Sequence, residues 1–368
     1  MTPHLIPRRH RRHSPPGPGL RRYAGLAAAG VALLMVAACG GTTGNETSGT
    51  GDDTTADSTK PLIYGVFATP LEEPWDGAIH AALTEAAEAG DIEYKHVDNL
   101  STSDAMERSL RDIAANEKPD AIMGDAFAAE EAVRKVAAEF PDIPFAFGSG
   151  EKPVPPNMSV FDNWLQDPAY LAGMLAGGLT KSDVIGVVGA MPIPEVNRIV
   201  NAFVQGTKET NPDATVKVSF INSFFDPAAA KQAAQAQVSA KADVLFAERD
   251  GVIAAAKEAD LPVIGMMVDQ HEEAPKHVAT SLIWNMGPTV QAVIKQALNG
   301  PEAVDLGEYS FMKDGGSDLA ELNTGIVGGI PDDLVAKIQA KEKAIMDGSF
   351  ETPIDESVPA GSIDVSKG

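Results

Sequence analysis

From Pro61 onward, short unbroken apolar runs alternate with stretches whose apolar positions recur every three or four residues. Residues 62–67 (Leu-Ile-Tyr-Gly-Val-Phe), 92–97, 121–124 and 143–147 read as strands, with helices between them at 75–89, 103–116 and 128–140. Met106, Leu110 and Ile113 mark the buried face of the second helix. Strands apolar on both faces, separated by amphipathic helices, predict a parallel sheet covered on both sides. The rhythm then restarts, with helices at 168–179, 194–211, 227–240 and 251–259 and strands at 184–188, 216–221, 244–247 and 263–266. Two βα series of similar length predict an α/β protein of two doubly wound Rossmann-like lobes. A helix at 288–298 and a strand near 309–312 follow, where the chain would return to the first lobe.

The first sixty residues follow neither rhythm. Six arginines (Arg8, Arg9, Arg11, Arg12, Arg21, Arg22) precede an uncharged run, 24–38, that ends at Cys39. This is the layout of a secretory signal, and the run is short for a membrane span. Val36-Ala37-Ala38-Cys39 resembles a lipobox, in which lipid is attached to the cysteine sulfur and cleavage leaves Cys39 first. The alternative is an ordinary secretory signal with an incidental cysteine. Cys39 is the only cysteine, so no intramolecular disulfide can form. Residues 40–60, rich in Gly, Thr, Ser and Asp, lack large apolar side chains and read as a flexible tether. The expected division is a signal peptide at 1–38 and a tether at 39–60. A first lobe follows from 61–163 plus about 284–305, a second from 164–283 plus about 306–350, and a tail at 351–368.

Composition adds a constraint on partners. The chain's formal charge is −23, and without its arginine-rich first 38 residues the remainder stands six lower, at −29. A body so acidic repels phosphate backbones, which argues against nucleic acid. The absence of GxSxG, HExxH, Walker and CxxC motifs argues against an enzyme, and no cofactor or metal is expected. Gly186-Val187-Val188-Gly189 lacks the third glycine of a dinucleotide fingerprint and reads as a tight turn. His80, His96, His271 and His277 form no triad or metal spacing.

Open α/β sheets bind ligands at the carboxyl ends of their strands. There stand Trp75-Asp76, Asp125 with Phe127, Phe224-Phe225-Asp226, Glu248-Arg249-Asp250 and Asp269-Gln270. Asp125, Asp226 and Asp250 equally occupy positions where a helix N-cap is expected. Aromatic rings facing across a cleft suit a flat ligand, and acids suit its N–H and O–H donors.

Five stretches carry a resemblance: 66–77, 157–162, Tyr170-Leu171-Ala172-Gly173, Pro194-Glu195-Val196-Asn197-Arg198 with Ala202-Phe203, and 223–228. Over roughly 61–298 the chain resembles the basic membrane lipoprotein (BMP) family, substrate-binding lipoproteins of ABC importers. The resemblance implies the periplasmic-binding-protein type I fold, a nucleoside or purine-like ligand taken by hinge closure, and permease and ATPase subunits on separate chains. It implies attachment to the outer face of the cell membrane through Cys39 alone. Trp75 stands where the family has an aromatic, and Asp76 where it usually has Asn. Phe225, or its neighbour Phe224, falls in the second lobe's aromatic motif, so that Trp75 and Phe225 would sandwich a base. Two positions depart from the family. Met267 replaces the first acid of an Asp-x-Asp-Gln motif that here reads Met267-Val268-Asp269-Gln270, and Trp284 replaces a lysine. Both changes weaken hydroxyl recognition and leave a sugar or another solute as alternative cargo, with sensing as the alternative to import. The expected ligand contacts are Trp75, Asp76, Asp125, Phe127, Phe225, Asp250, Asp269 and Trp284.

Overall fold

The computed structural model describes residues 60–127 and 129–367; the signal sequence, Cys39 and all but the last tether residue lie outside the described residues. The first lobe is built from β1 (Leu62–Val66), α1 (Pro74–Ala89), β2 (Glu93–Val97), α2 (Ser103–Asp112), β3 (Ala121–Asp125), α3 (Glu130–Glu139), β4 (Phe145–Gly148) and β5 (Met158–Phe161). Its sheet runs β2-β1-β3-β4-β5 with every neighbouring pair parallel. The start of α1 is fixed locally. The Glu73 carboxylate accepts the Trp75 and Asp76 N–H groups, Pro74 occupies the first turn, and Gly90 closes the far end in the left-handed region.

The second lobe follows with α4 (Gln166–Leu179), β6 (Val184–Gly189), α5 (Pro194–Thr210), β7 (Thr215–Phe220), α6 (Pro227–Ser239), β8 (Val244–Ala247), α7 (Val252–Ala259), β9 (Val263–Gly265) and β10 (Val278–Trp284). Then α8 (Gly287–Asn299) packs back against α1 and β3 of the first lobe. The chain returns again through β11 (Ser317–Leu319) and α9 (Asp332–Met346) and ends with β12 (Ile363–Asp364). The second sheet runs β11-β10-β9-β8-β6-β7-β12, parallel except where β11 meets β10. Gly251 opens α7 at φ +101°, where an added Cβ would lie 2.1 Å from the Pro227 carbonyl oxygen, so the turn after β8 admits only glycine.

Three segments link the lobes: 162–165 between β5 and α4, 285–286 between β10 and α8, and the stretch before β11. Ser310 ties them together, accepting the Trp284 indole N–H (3.1 Å) and donating to the Asp162 carbonyl (2.6 Å). One apolar cluster runs through this region, including Trp75, Phe161, Leu165, Met267 and Trp284.

The strand expected near 309–312 is absent. Two 3-10 turns, Gly307–Ser310 and Met312–Asp314, stand there, and the Gly316 N–H closes the turn on the Phe311 carbonyl (3.0 Å) as the chain crosses between lobes. The weakly patterned end of the chain is anchored. Asn201 donates to the carbonyls of Asp355 and Ser357 (2.9 and 2.8 Å), Asn197 donates to that of Glu356 (3.0 Å), and β12 pairs with β7.

Candidate ligand-binding cleft

The carboxyl ends of both sheets face one another, and the loops leaving them meet. From the first lobe come Thr69 after β1, Trp75 in the first turn of α1, Asp125 and Phe127 at the end of β3, and Ser149 after β4. From the second come Glu195 in the first turn of α5 and Phe224 after β7. Together with Glu73 they enclose an inner cavity of about 30 Å³. An outer chamber of about 480 Å³ shares Phe127, Ser149 and Glu195 and is further lined by Asp162, Trp164, Arg198 and Glu356. The lobes touch across the cleft. The Phe127 and Phe224 rings lie edge to face at 4.8 Å, and Arg249 Nη1 reaches Glu73 Oε1 at 3.2 Å. Small-molecule sites span hundreds of cubic ångströms, so a ring-sized ligand enters the inner cavity only when the lobes part.

Charge in this region is dense and mostly buried. Arg249 is held by the Glu248 carboxylate (2.7 Å), the Glu248 carbonyl (2.6 Å) and the Phe224 carbonyl (3.1 Å) as well as by Glu73. Burial works against its charge, but Glu248 and Glu73 outweigh that and hold its pKa above the ordinary arginine range. Arg198 pairs with Asp162 (2.7 Å) and Glu356 (3.3 Å), donates to the Asn163 carbonyl (3.1 Å), and lies 4.1 Å over the Trp164 ring. Burial raises the pKa of Asp125 well above the carboxylate range, with Asp76 adding to it. Burial, then the neighbouring Asp162, pushes Glu195 up to about 8. Glu195 is 8% exposed, and its Oε1 accepts no hydrogen bond.

Residues 68–350 match the family model Bmp, whose members are PnrA-like substrate-binding proteins of ABC transporters. The chain belongs to this family. Among its relatives, an ABC transporter protein of Haloferax volcanii named for glucose binding is 32% identical over 208 residues, 55% of this chain and 52% of that one. The chain thus spans about half the length of that relative. A purine-binding protein of Brucella abortus is 30% identical over 244 residues, covering 65% of this chain and 68% of its own length. The fold is shared with an ABC transporter solute-binding protein from Conexibacter woesei, with a TM-score of 0.64 and 24% identity over 80% of this chain and 99% of that one.

In this Bmp chain the residues singled out by sequence are not all in one place. Trp75, Asp125 and Phe127 line the inner cavity. The Trp75 indole stacks on Phe161 (5.9 Å, 9°), and its N–H has no partner. Asp76 is fully buried and turns to Thr69, accepting its N–H (2.9 Å) and hydroxyl (2.6 Å), so it braces the β1–α1 loop. Phe225 is 40% exposed and outside the cavity lining; Phe224 supplies the second lobe's ring instead. Asp250 borders a separate groove with Glu72, Val268 and Glu273. Asp269 is exposed and accepts the His271 N–H (3.0 Å). Trp284 is buried behind Trp75, 4.8 Å from its ring, and its N–H is spent on Ser310. Cys39 lies outside the described residues.

Sequence reasoning passed over Glu73, Glu195 and Arg249. Arg249 lies inside the strand-end run Glu248-Arg249-Asp250, where Asp250 drew attention as an acid at the carboxyl end of a strand. Glu195 lies within a family-like stretch but carries no signal of its own.

Proposed function

We propose that this member of the family is the capture component of an importer. It closes two lobes over a nucleoside or purine-like ligand and presents it to a permease and ATPase on separate chains. It is anchored outside the membrane at Cys39 and catalyses nothing itself. The observation that carries the reading is the cavity between the lobes. Each lobe contributes an aromatic ring and a carboxylate (Phe127 and Asp125, Phe224 and Glu195), so a ligand held there contacts both. Only a ligand with more contacts in the closed form can shift the lobes toward closure. The similarity to a purine-binding protein supports a purine. A sugar is the second reading, supported by the relative named for glucose binding and by carboxylates that accept hydroxyls as readily as ring N–H groups.

The test is a thermal-shift screen of residues 61–368 against nucleosides, free bases, sugars and amino acids. Ligand at 100 times its dissociation constant adds about 2.7 kcal/mol of stability. Trp75→Ala and Phe224→Ala should each weaken binding by tenfold or more, about 1.4 kcal/mol, while Phe225→Ala leaves it unchanged. Full affinity in both cavity variants would remove the aromatic grip from the reading.

A further inference from the structure

The inner cavity presents three carboxyl groups, Glu73, Asp125 and Glu195, and three aromatic rings, Trp75, Phe127 and Phe224, with no lysine, arginine or histidine among the described residues of its lining. The two nearby guanidinium groups act on Glu195 through space, and Arg249 lies 5.5 Å over the Phe224 ring, but their ion pairs go elsewhere: Arg249 to Glu248 and Glu73, Arg198 to Asp162 and Glu356. Glu73 is satisfied by the Trp75 and Asp76 N–H groups and by Arg249. Asp125 takes the Phe127 N–H on one oxygen (2.8 Å). Glu195 is different: more than nine-tenths buried, on the cavity wall, with Oε1 unpartnered. A buried carboxyl without a partner keeps its proton, as burial makes Glu195 do, and a charged donor seated against it would favour the ionised form.

We infer that the preferred ligand of this cleft carries a positively charged nitrogen, seated between Asp125 of one lobe and Glu195 of the other and walled by Phe127, Phe224 and Trp75. The inference rests on the proposed ligand-capture role of the same cavity. A cation there meets a carboxylate from each lobe and the negative faces of aromatic rings. A phosphorylated or carboxylated ligand would meet three acids and guanidinium groups already paired to other carboxylates, so the same lining disfavours anionic cargo. The class is therefore a flat nitrogen heterocycle bearing a fixed or protonated charge.

A pair of isomers isolates the charge. 1-Methyladenosine is protonated and cationic at neutral pH, whereas its isomer N6-methyladenosine stays neutral. Titration calorimetry on the full chain, purified in detergent, should give the cationic isomer about tenfold to a hundredfold tighter binding, the range of a charge-assisted hydrogen bond. Thiamine, a cationic ring outside the purines, should bind and guanosine monophosphate should not. Glu195→Gln should collapse the ratio between the isomers. Asp125→Asn, on the opposite lobe, serves the same purpose if the first variant does not fold, and Phe225→Ala is the unaffected control. Equal or tighter binding of the neutral isomer overturns the inference and leaves the capture role standing. A ratio that survives both variants also overturns it. Failure of every nucleoside, base and cation to bind removes the capture role itself.

Discussion

At the scale of single residues, the two positions that depart from the family resemblance fall together. Met267 and Trp284, where the resemblance places an acid and a lysine, are both buried in the apolar cluster between the lobes. The Trp284 backbone N–H donates to the Met267 carbonyl (2.9 Å), so the two exchanged positions are neighbours. Burial holds Asp76 at about 7 and Glu195 at about 8, above their values in an unfolded chain, 3.8 and 4.5. The folded state then binds more protons, so this contribution favours folding at acid pH and is lost as pH rises from about 4 to about 8. Urea unfolding of the unliganded protein should show stability falling by about 1 kcal/mol or more between pH 5 and pH 8. Asp76→Asn and Glu195→Gln should each flatten that slope. Asp125 and Phe127 were legible because a residue at or just past the end of a parallel strand has few places to point, and Trp75 because it opens the helix that follows the loop after β1. Phe224 was not separable from Phe225, because Asn222 sits in the left-handed region (φ +56°) and the period-two alternation of β7 ends there.

At the scale of elements, legibility followed length and punctuation. Helices with a cap, an opening proline or a terminal glycine, such as α1 and α6, lie close to where their pattern predicts. β5 is four residues long and follows the proline-rich turn at Pro153, Pro155 and Pro156, which hides it. α9 buries only Leu334, Ile338 and Ile345 among alanines and lysines, too narrow a stripe to stand out. The C-terminal stretch has no pattern to read because α5 dictates its course through the Asn197 and Asn201 amides. Asn201→Ala leaves two backbone carbonyls without their donor, and each such bond is worth about 1 kcal/mol. Limited proteolysis should cut near 353–358 faster in this variant than in the parent; an unchanged rate would mean that Asn197, Arg198 and β12 hold the segment without Asn201.

At the scale of the whole molecule, two lobes and three linking segments were largely readable from the doubled βα rhythm. The contacts between lobes were not, since they join residues such as Glu73 and Arg249 that are far apart in the chain. That pair is buried on both sides. Arg249→Met would leave Glu248 and Glu73 buried without a cation and should cost roughly 3–5 kcal/mol in unfolding free energy. Adding Glu248→Gln and Glu73→Gln should recover much of the loss, and a triple variant as weak as the single one would place the arginine's contribution in packing instead.

The placement of the indoles has a practical corollary. The chain's three tryptophans are Trp75 on the inner cavity, Trp164 in the outer chamber beneath Arg198, and Trp284 at the crossing between lobes. No indole is left over in either lobe's outer layers to dilute their emission. The protein therefore carries a built-in optical gauge. Its intrinsic fluorescence should follow the proposed opening and closing of the cleft, with no dye attached.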